Sequence, residues 1–381
     1  MPLARVRFNR SELAGSFGDI GTDLPLLMGM IAASGLDGAS TFIVFGLMQV
    51  MTGLAYGLPM PVQPLKAMAV IVIAQKVAPA VLYGGGLAIG LMMLALAATG
   101  LLERIARFIP KPVVRGLQLG LGLTLCSLAL RKYVPADGAA GYALAVGACA
   151  VLLALRENRR APGALLVMGL GALYALIFGL DMGALRGGVG LAWPKLRHPA
   201  LSDVGQGLLL LALPQLALSI GNSVIATRQT IEDLFPDRKV GVRRIGLTYS
   251  LMNLVSPFLS GVPTCHGAGG LAGHYNFGAR TGGAVVIYGS FYLAAGLFFS
   301  GALAEVVKVF PMPVLGVVLL FEGLALMGFV RDVAPQRADF FTALLVAALA
   351  AGLPNGFLWG MLVGTAWHYL RSRITSDSRT P

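Results

Sequence analysis

The chain has 381 residues, of which 56% are hydrophobic and only 12% charged, and its mean hydropathy is +0.78. Soluble domains carry about 25% charged residues, so this composition excludes an ordinary water-soluble fold. The net charge of +12 would point to nucleic acid in a soluble protein, but the cations form no stripe and no recognised module, so nucleic acid is not expected as a partner.

Apolar stretches bounded by Gly, Pro or charge predict fourteen helical segments, at 11–34, 38–59, 64–76, 81–102, 112–131, 139–156, 163–181, 203–231, 243–260, 265–277, 282–303, 312–330, 339–353 and 355–371. The fold class is therefore an all-α integral membrane protein. The basic start MPLARVRFNR runs straight into a first segment that contains acids and lacks a small-residue cleavage site, so it reads as a span and not as a removed leader. In that segment Asp19 and Asp23 are four apart and share a helix face, with Ser16 joining them. Counted from Ser11, Asp19 lies about 12 Å along the helix. Ionisable groups at that depth are costly and point to function: a coupling proton, or an ion pair that steadies a cation.

The third segment opens on Pro59-Met60-Pro61-Val62-Gln63-Pro64-Leu65-Lys66. Pro59 and Pro61 cannot extend a helix, whereas Pro64 suits the first turn of a new one, with Gln63 near its N-cap. A helix that starts inside the membrane after irregular backbone needs protein or a cavity around it. Lys66 disfavours a helix start unless an anion is near, so it reads as part of an anion site or its ion-pair shell ahead of a residue snorkelling to the interface.

In the eighth segment Gln215, Ser219 and Asn222 fall on one face at i, i+4 and i+7. That face suits hydrogen bonds to an oxyanion, and equally suits helix-to-helix adhesion. Glu232 and Asp233 are expected at its cytoplasmic end, solvated. The tenth segment begins Val262-Pro263-Thr264-Cys265-His266-Gly267-Ala268-Gly269-Gly270. Thr264 is expected to cap a helix whose first turns carry little bulk. Free N–H groups at such a start bind anions, and two facing starts present roughly one positive charge. His266 reads equally as a donor to the anion and as a packing residue; Cys265 reads first as packing. Glu322, inside the twelfth segment, is a weaker coupling candidate.

Cysteines Cys126, Cys149 and Cys265 form no CxxC pair, so neither a disulfide framework nor a metal or other cofactor is expected. With a cytoplasmic N-terminus and every segment crossing, 21 of the 29 Lys and Arg residues fall on the cytoplasmic side and six on the other. Both termini are therefore expected in the cytoplasm of a multi-pass cell-membrane protein.

The chain also repeats itself. GLMQVMTGLAYGLPMPVQPLKAMA from Gly46 is echoed by GLTYSLMNLVSPFLSGVPTCHGAGGLA from Gly246. Ile109-Pro110-Lys111-Pro112-Val113 is echoed by Phe310-Pro311-Met312-Pro313-Val314 at an offset of 201. Two halves follow, 1–185 and 200–381, of seven segments each. An odd number of crossings inverts the second half, which is the plan of secondary transporters that bind substrate at interrupted helices.

The blocks GSFGDIGTDLPL, PMPVQPLKAMA, LPQLALSIGNSVIAT and GVPTCHGAGGLAGHYNFGARTGG resemble the signatures of the plant and bacterial molybdate transporter family, distant relatives of the sulfate permeases. The resemblance implies two inverted seven-segment repeats with a core and a gate domain. It puts molybdate between the third and tenth half-helices, near Gln63 and the Thr264–Gly267 turn, with the first and eighth segments beside it. It implies molybdate uptake across a lipid bilayer, leaving proton coupling and a homodimer open. The chain ends soon after Leu370, so the soluble regulatory domain of the sulfate permeases is not expected after the last span. Sulfate is the nearest rival substrate and an anion channel the rival mechanism. An enzyme is not expected, because no nucleophile–base pair or metal motif stands at usable spacing.

Overall fold

In the computed structural model, residues 6–155, 163–178, 189–299 and 310–377 are described. Arg5, Arg156, Arg159, Arg160, Arg186, Lys308 and Arg379 of the charge count, and the end of the first half at residue 185, lie outside them. The first half contains α1 (Arg10–Ser16), α2 (Ile20–Ser34), α3 (Gly38–Tyr56), the two-residue strand β1 (Gln63–Pro64), α4 (Lys66–Gln75), α5 (Pro79–Ala98), α6 (Leu101–Phe108), α7 (Lys111–Tyr133), α8 (Gly138–Ala154) and α9 (Gly163–Phe178). The second contains α10 (Leu201–Leu234), α11 (Val242–Val255), β2 (Thr264–Cys265), α12 (Ala268–Asn276), α13 (Gly283–Phe298), α14 (Met312–Asp332), α15 (Arg337–Gly352) and α16 (Gly356–Asp377). Five of these, α3, α5, α7, α10 and α14, are long and apolar enough to cross a membrane.

Local chemistry sets the helix ends. Asp37 caps α3 by accepting the Ser40 amide at 2.9 Å, and Gly57 closes it in the left-handed conformation at φ 61°. The repeated Pro-x-Pro becomes two equivalent starts: Pro110 and Pro311 precede α7 and α14, and Pro112 and Pro313 sit in their first turns. Helix α3 packs on α13, and α5 on α10 and α11; α7 packs on α14 and α15, and α15 on α16. The α3–α13 contact is close because Gly46 faces Gly289: a β-carbon on Gly46 would stand 2.5 Å from the Gly289 carbonyl oxygen.

The first segment differs from its expectation. It is two helices, not one, broken at Phe17–Asp19. The cause is α12: His274 Nδ1 bonds the Gly15 carbonyl at 2.8 Å, the acceptor a continuing helix would offer to Asp19, and Gly18 lies against the Gly273–His274 backbone. Ser16 therefore ends a separate helix, with its hydroxyl donating to the Leu13 carbonyl at 2.8 Å, and does not share a face with Asp19 and Asp23.

The irregular stretches pair with each other. β1 runs antiparallel to β2, with Gln63 opposite Cys265 and Pro64 opposite Thr264. Two buried amides clamp them. Gln49 of α3 donates to the Val62 carbonyl at 2.8 Å and accepts the Val62 amide at 3.1 Å. Asn253 of α11 does the same for Thr264, at 2.6 and 3.0 Å. These bonds satisfy backbone groups that have no water to turn to. Asn253→Ala is expected to cost about 1–3 kcal/mol by orphaning the Thr264 N–H and C=O. Thermal unfolding of the purified variant checks this, and an unchanged midpoint would show that the clamp is dispensable.

Two helix starts are displaced as a result. Thr264 does not cap α12, which begins after Gly267, because its backbone is committed to β1 and Asn253. Its hydroxyl turns to Met48 Sδ at 3.6 Å. Pro64 likewise sits in the strand pair, and α4 begins at Lys66, after Leu65.

Candidate anion site

The strand pair brings the starts of α4 and α12 together. The amides of Ala67 and Met68, in the first turn of α4, both donate to Gln215 Oε1, at 2.9 and 3.3 Å. Gln215 Nε2 donates to Ser219 Oγ at 3.1 Å, and Ser219 Oγ shares a hydrogen with the buried Tyr249 hydroxyl at 2.8 Å. Residues 219–226 of α10 are wound as a π-helix. That winding breaks the i, i+4, i+7 spacing, so Asn222 is buried but does not join the Gln215–Ser219 pair. On the other side, the amides of Ala268, Gly269 and Gly270 at the start of α12 find no acceptor among the described residues.

Charge gathers around these two starts. Gln63 Nε2 donates to both oxygens of Asp19, at 2.7 and 2.9 Å, and its own Oε1 is buried without a donor. Tyr288 donates to Asp23 Oδ2 at 3.1 Å and pairs with Tyr292 at 2.9 Å. Thr22 donates to Glu322 Oε2 at 3.0 Å, which ties α2 to α14. Asp19, Asp23 and Glu322 lie within electrostatic reach of Lys66, whose buried Nζ has no hydrogen-bond partner. Side-chain oxygens reach α12 across glycines: a β-carbon on Gly270 would overlap Asp19 Oδ2, and one on Gly267 would overlap Gln63 Oε1.

Lys66 lines a cavity of about 390 Å³ with Thr22, Ala67, Leu121, Tyr133 and Asn355. A second cavity of about 590 Å³ shares its Ala67, Thr124, Pro214 and Asn355 wall. Together they reach from the α4 start toward the Tyr133 end of α7 and the α15–α16 turn.

At the opposite end of α7 an ion-pair cluster joins three helices. Arg115 is 2% exposed and grips two carboxylates at once. It reaches Asp332 of α14 through Nε at 3.0 Å and Nη2 at 2.6 Å, and Asp233 of α10 through Nη1 at 2.6 Å and Nη2 at 2.8 Å. Gln118 adds a bond to Thr230 at 2.9 Å. Asp233, expected in solvent, is thus an ion-pair partner, whereas Glu232 stays near the surface with Arg228.

The structure therefore brings Gln63, Lys66, Asp19, Asp23, Glu322, Gln215, Ser219 and the Gly267 turn together. It leaves Ser16 and Asn222 at the margin. His266 uses both ring nitrogens, on the Pro61 carbonyl at 3.0 Å and on Thr248 Oγ1 at 2.8 Å, so it ties the two irregular stretches together. Cys265 fills the strand pair opposite Gln63. Gln49, Asn253, Tyr288 and Arg115 escaped the sequence reading. The first two had a signal: each is a lone amide inside an apolar segment, one turn from equivalent in the two echoes.

Residues 11–125 and 207–326 match the family described as "Molybdate transporter of MFS superfamily". The chain is 31% identical to Molybdate transporter 1 of Arabidopsis thaliana, over 98% of this chain and 92% of that one. It is 32% identical to Molybdate transporter 2 of the same plant, over 89% and 82% of the two chains. It is 31% identical to Molybdate transporter 1 of Chlamydomonas reinhardtii, over 93% and 91%. Among solved structures it is similar to the transmembrane domain of a cyanobacterium bicarbonate transporter, BicA, with TM-score 0.57, 19% identity and coverage of 92% and 99%. It is also similar to the murine anion transporter Slc26a9 in the inward-facing state, with TM-score 0.60, 14% identity and coverage of 96% and 68%. At these identities the structural likeness speaks for a common fold.

Proposed function

Because the chain belongs to the molybdate transporter family, we propose that it is a secondary active transporter that takes up molybdate, bound between the starts of α4 and α12. It is a multi-pass membrane transporter and not an enzyme. The observation that carries the site is the unpartnered Lys66 ammonium in the first turn of α4, facing a second helix start with free amides and reached by a cavity. Two helix N-termini contribute roughly half a charge each, and Lys66 completes about two positive charges, which match a dianion once the carboxylates around Lys66 are protonated. Gln63 and Ser219 supply donors for its oxygens.

The transport cycle follows from the packing. In this reading the halves 1–185 and 200–381 are inverted repeats, α4 and α12 are their half-helices, and fourteen segments cross or enter the bilayer. Helices α1–α5 and α10–α13 form the core; α7–α9 and α14–α16 form the gate. The cavity opens the site at one end of α7, while the Arg115–Asp233 pair joins core to gate at the other. Rocking that opens the Arg115 end must part that pair. The positive bias puts the Arg115 end and both termini in the cytoplasm of a cell-membrane protein, so the open cavity faces outward. Three carboxylates around one ammonium carry an excess of negative charge, and an entering dianion adds to it. Protonation of Asp19, Asp23 or Glu322 relieves that repulsion, which is the reason to expect proton coupling.

Radiolabelled molybdate uptake into proteoliposomes tests this. Accumulation above the outside concentration under an imposed proton gradient, with weak competition by sulfate, is the expected result. Flux that only equilibrates the two sides would replace the transporter with a channel. Equal competition by sulfate would replace molybdate with oxyanions in general.

A further inference from the structure

The first turn of α4 is not waiting empty for an anion. Its Ala67 and Met68 amides already hold the Gln215 side-chain oxygen at 2.9 and 3.3 Å. That oxygen belongs to a neighbouring helix and is 148 residues away in sequence, so this is not a local capping turn. Gln215 is 1% exposed, and its amide nitrogen is anchored on Ser219 Oγ, which in turn meets the fully buried Tyr249 hydroxyl. The Lys66 ammonium beside it has no hydrogen-bond partner among the described residues, so it is left to meet an anion while the amides are already satisfied.

We propose that Gln215 is a tethered stand-in for the substrate: its carbonyl oxygen occupies the oxyanion position of α4 in the unloaded transporter, and the anion must displace it to bind. This rests on the reading of α4 as an anion site. A neutral amide is well suited to the task. It satisfies two buried N–H groups that would otherwise be costly in the empty site. It remains weaker than a charged oxygen at a helix N-terminus, so a dianion wins the exchange. Gln215 thus lowers affinity and keeps the empty site stable. A direct ligand would raise affinity, so the two roles differ in the sign of a single measurement.

The test is molybdate affinity, by calorimetry on the purified full-length protein, for the parent and three variants. Gln215→Ala frees the amides, and Gln215→Met frees them while keeping the side-chain volume should the alanine variant fold poorly. Both are expected to bind molybdate roughly tenfold more tightly, the worth of two displaced hydrogen bonds. Gln215→Glu installs a tethered anion, and is expected to lose molybdate binding by a hundredfold or about that, because the carboxylate both caps the amides more strongly and repels a dianion. Weaker or unchanged binding in the alanine and methionine variants would overturn the proposal and make Gln215 a direct ligand or a bystander. Parent protein that binds no molybdate at all would instead overturn the assignment of the substrate.

Discussion

Arg115→Ala is expected to destabilise the folded protein by about 3 kcal/mol, the low end of what breaking a buried ion pair costs. The arginine is 2% exposed and neutralises Asp332 of α14 and Asp233 of α10 simultaneously. Removing it does not orphan both equally. Asp332 is 36% exposed and retains Lys111 at 2.7 Å, whereas Asp233 is 18% exposed and keeps only the Gln229 amide at 3.1 Å. The penalty therefore concentrates on Asp233, and that is why the low end applies. Asp233→Asn should be milder, since the guanidinium keeps its Asp332 fork. A double-mutant cycle read by denaturant unfolding in nanodiscs separates the two. Additive losses would mean that Arg115 and Asp233 are merely adjacent. A coupling of 1 kcal/mol or about that is expected for a pair that fastens α7 to α10.

The contrast between Arg115 and Lys66 shows what a sequence discloses and what it withholds. Lys66 stood out because Pro59, Pro61 and Pro64 stop a helix in an apolar stretch, and a cation just beyond them is read as the partner of an anion or an acid ahead of a snorkelling residue. The membrane-helical fold class was legible for the same kind of reason, since hydropathy needs only one-dimensional information. Arg115 looked like one more loop cation. Nothing local marks it as buried, since its partners lie 118 and 217 residues away. The break in the first segment escaped in the same way. It is imposed by His274 taking the Gly15 carbonyl across 259 residues, and Gly18 in the break is a local trace too weak to place it. Likewise, Gln215 reads in the sequence equally as a hydrogen-bond partner for an oxyanion and as helix adhesion, and its bond to the α4 amides depends on how α10 is wound, which leaves no plain trace in the sequence.

Lys66→Met should lower molybdate affinity by about 30- to 1000-fold, the equivalent of about 2–4 kcal/mol for losing a desolvated charge-assisted contact. A loss of affinity alone is ambiguous here, because Lys66 also balances Asp19, Asp23 and Glu322. Stripping out this cation leaves three buried acids facing one another, and misfolding would imitate lost binding. Lys66→Met combined with Glu322→Gln removes one positive and one negative charge together, and the amide can still accept from Thr22. If Lys66 serves only to balance acids, that double variant regains both stability and molybdate affinity. If Lys66 grips the anion, it regains stability and stays weak. Calorimetric affinity measured beside the unfolding midpoint distinguishes these outcomes. The second is expected, because the ammonium has no hydrogen-bonded partner among those acids.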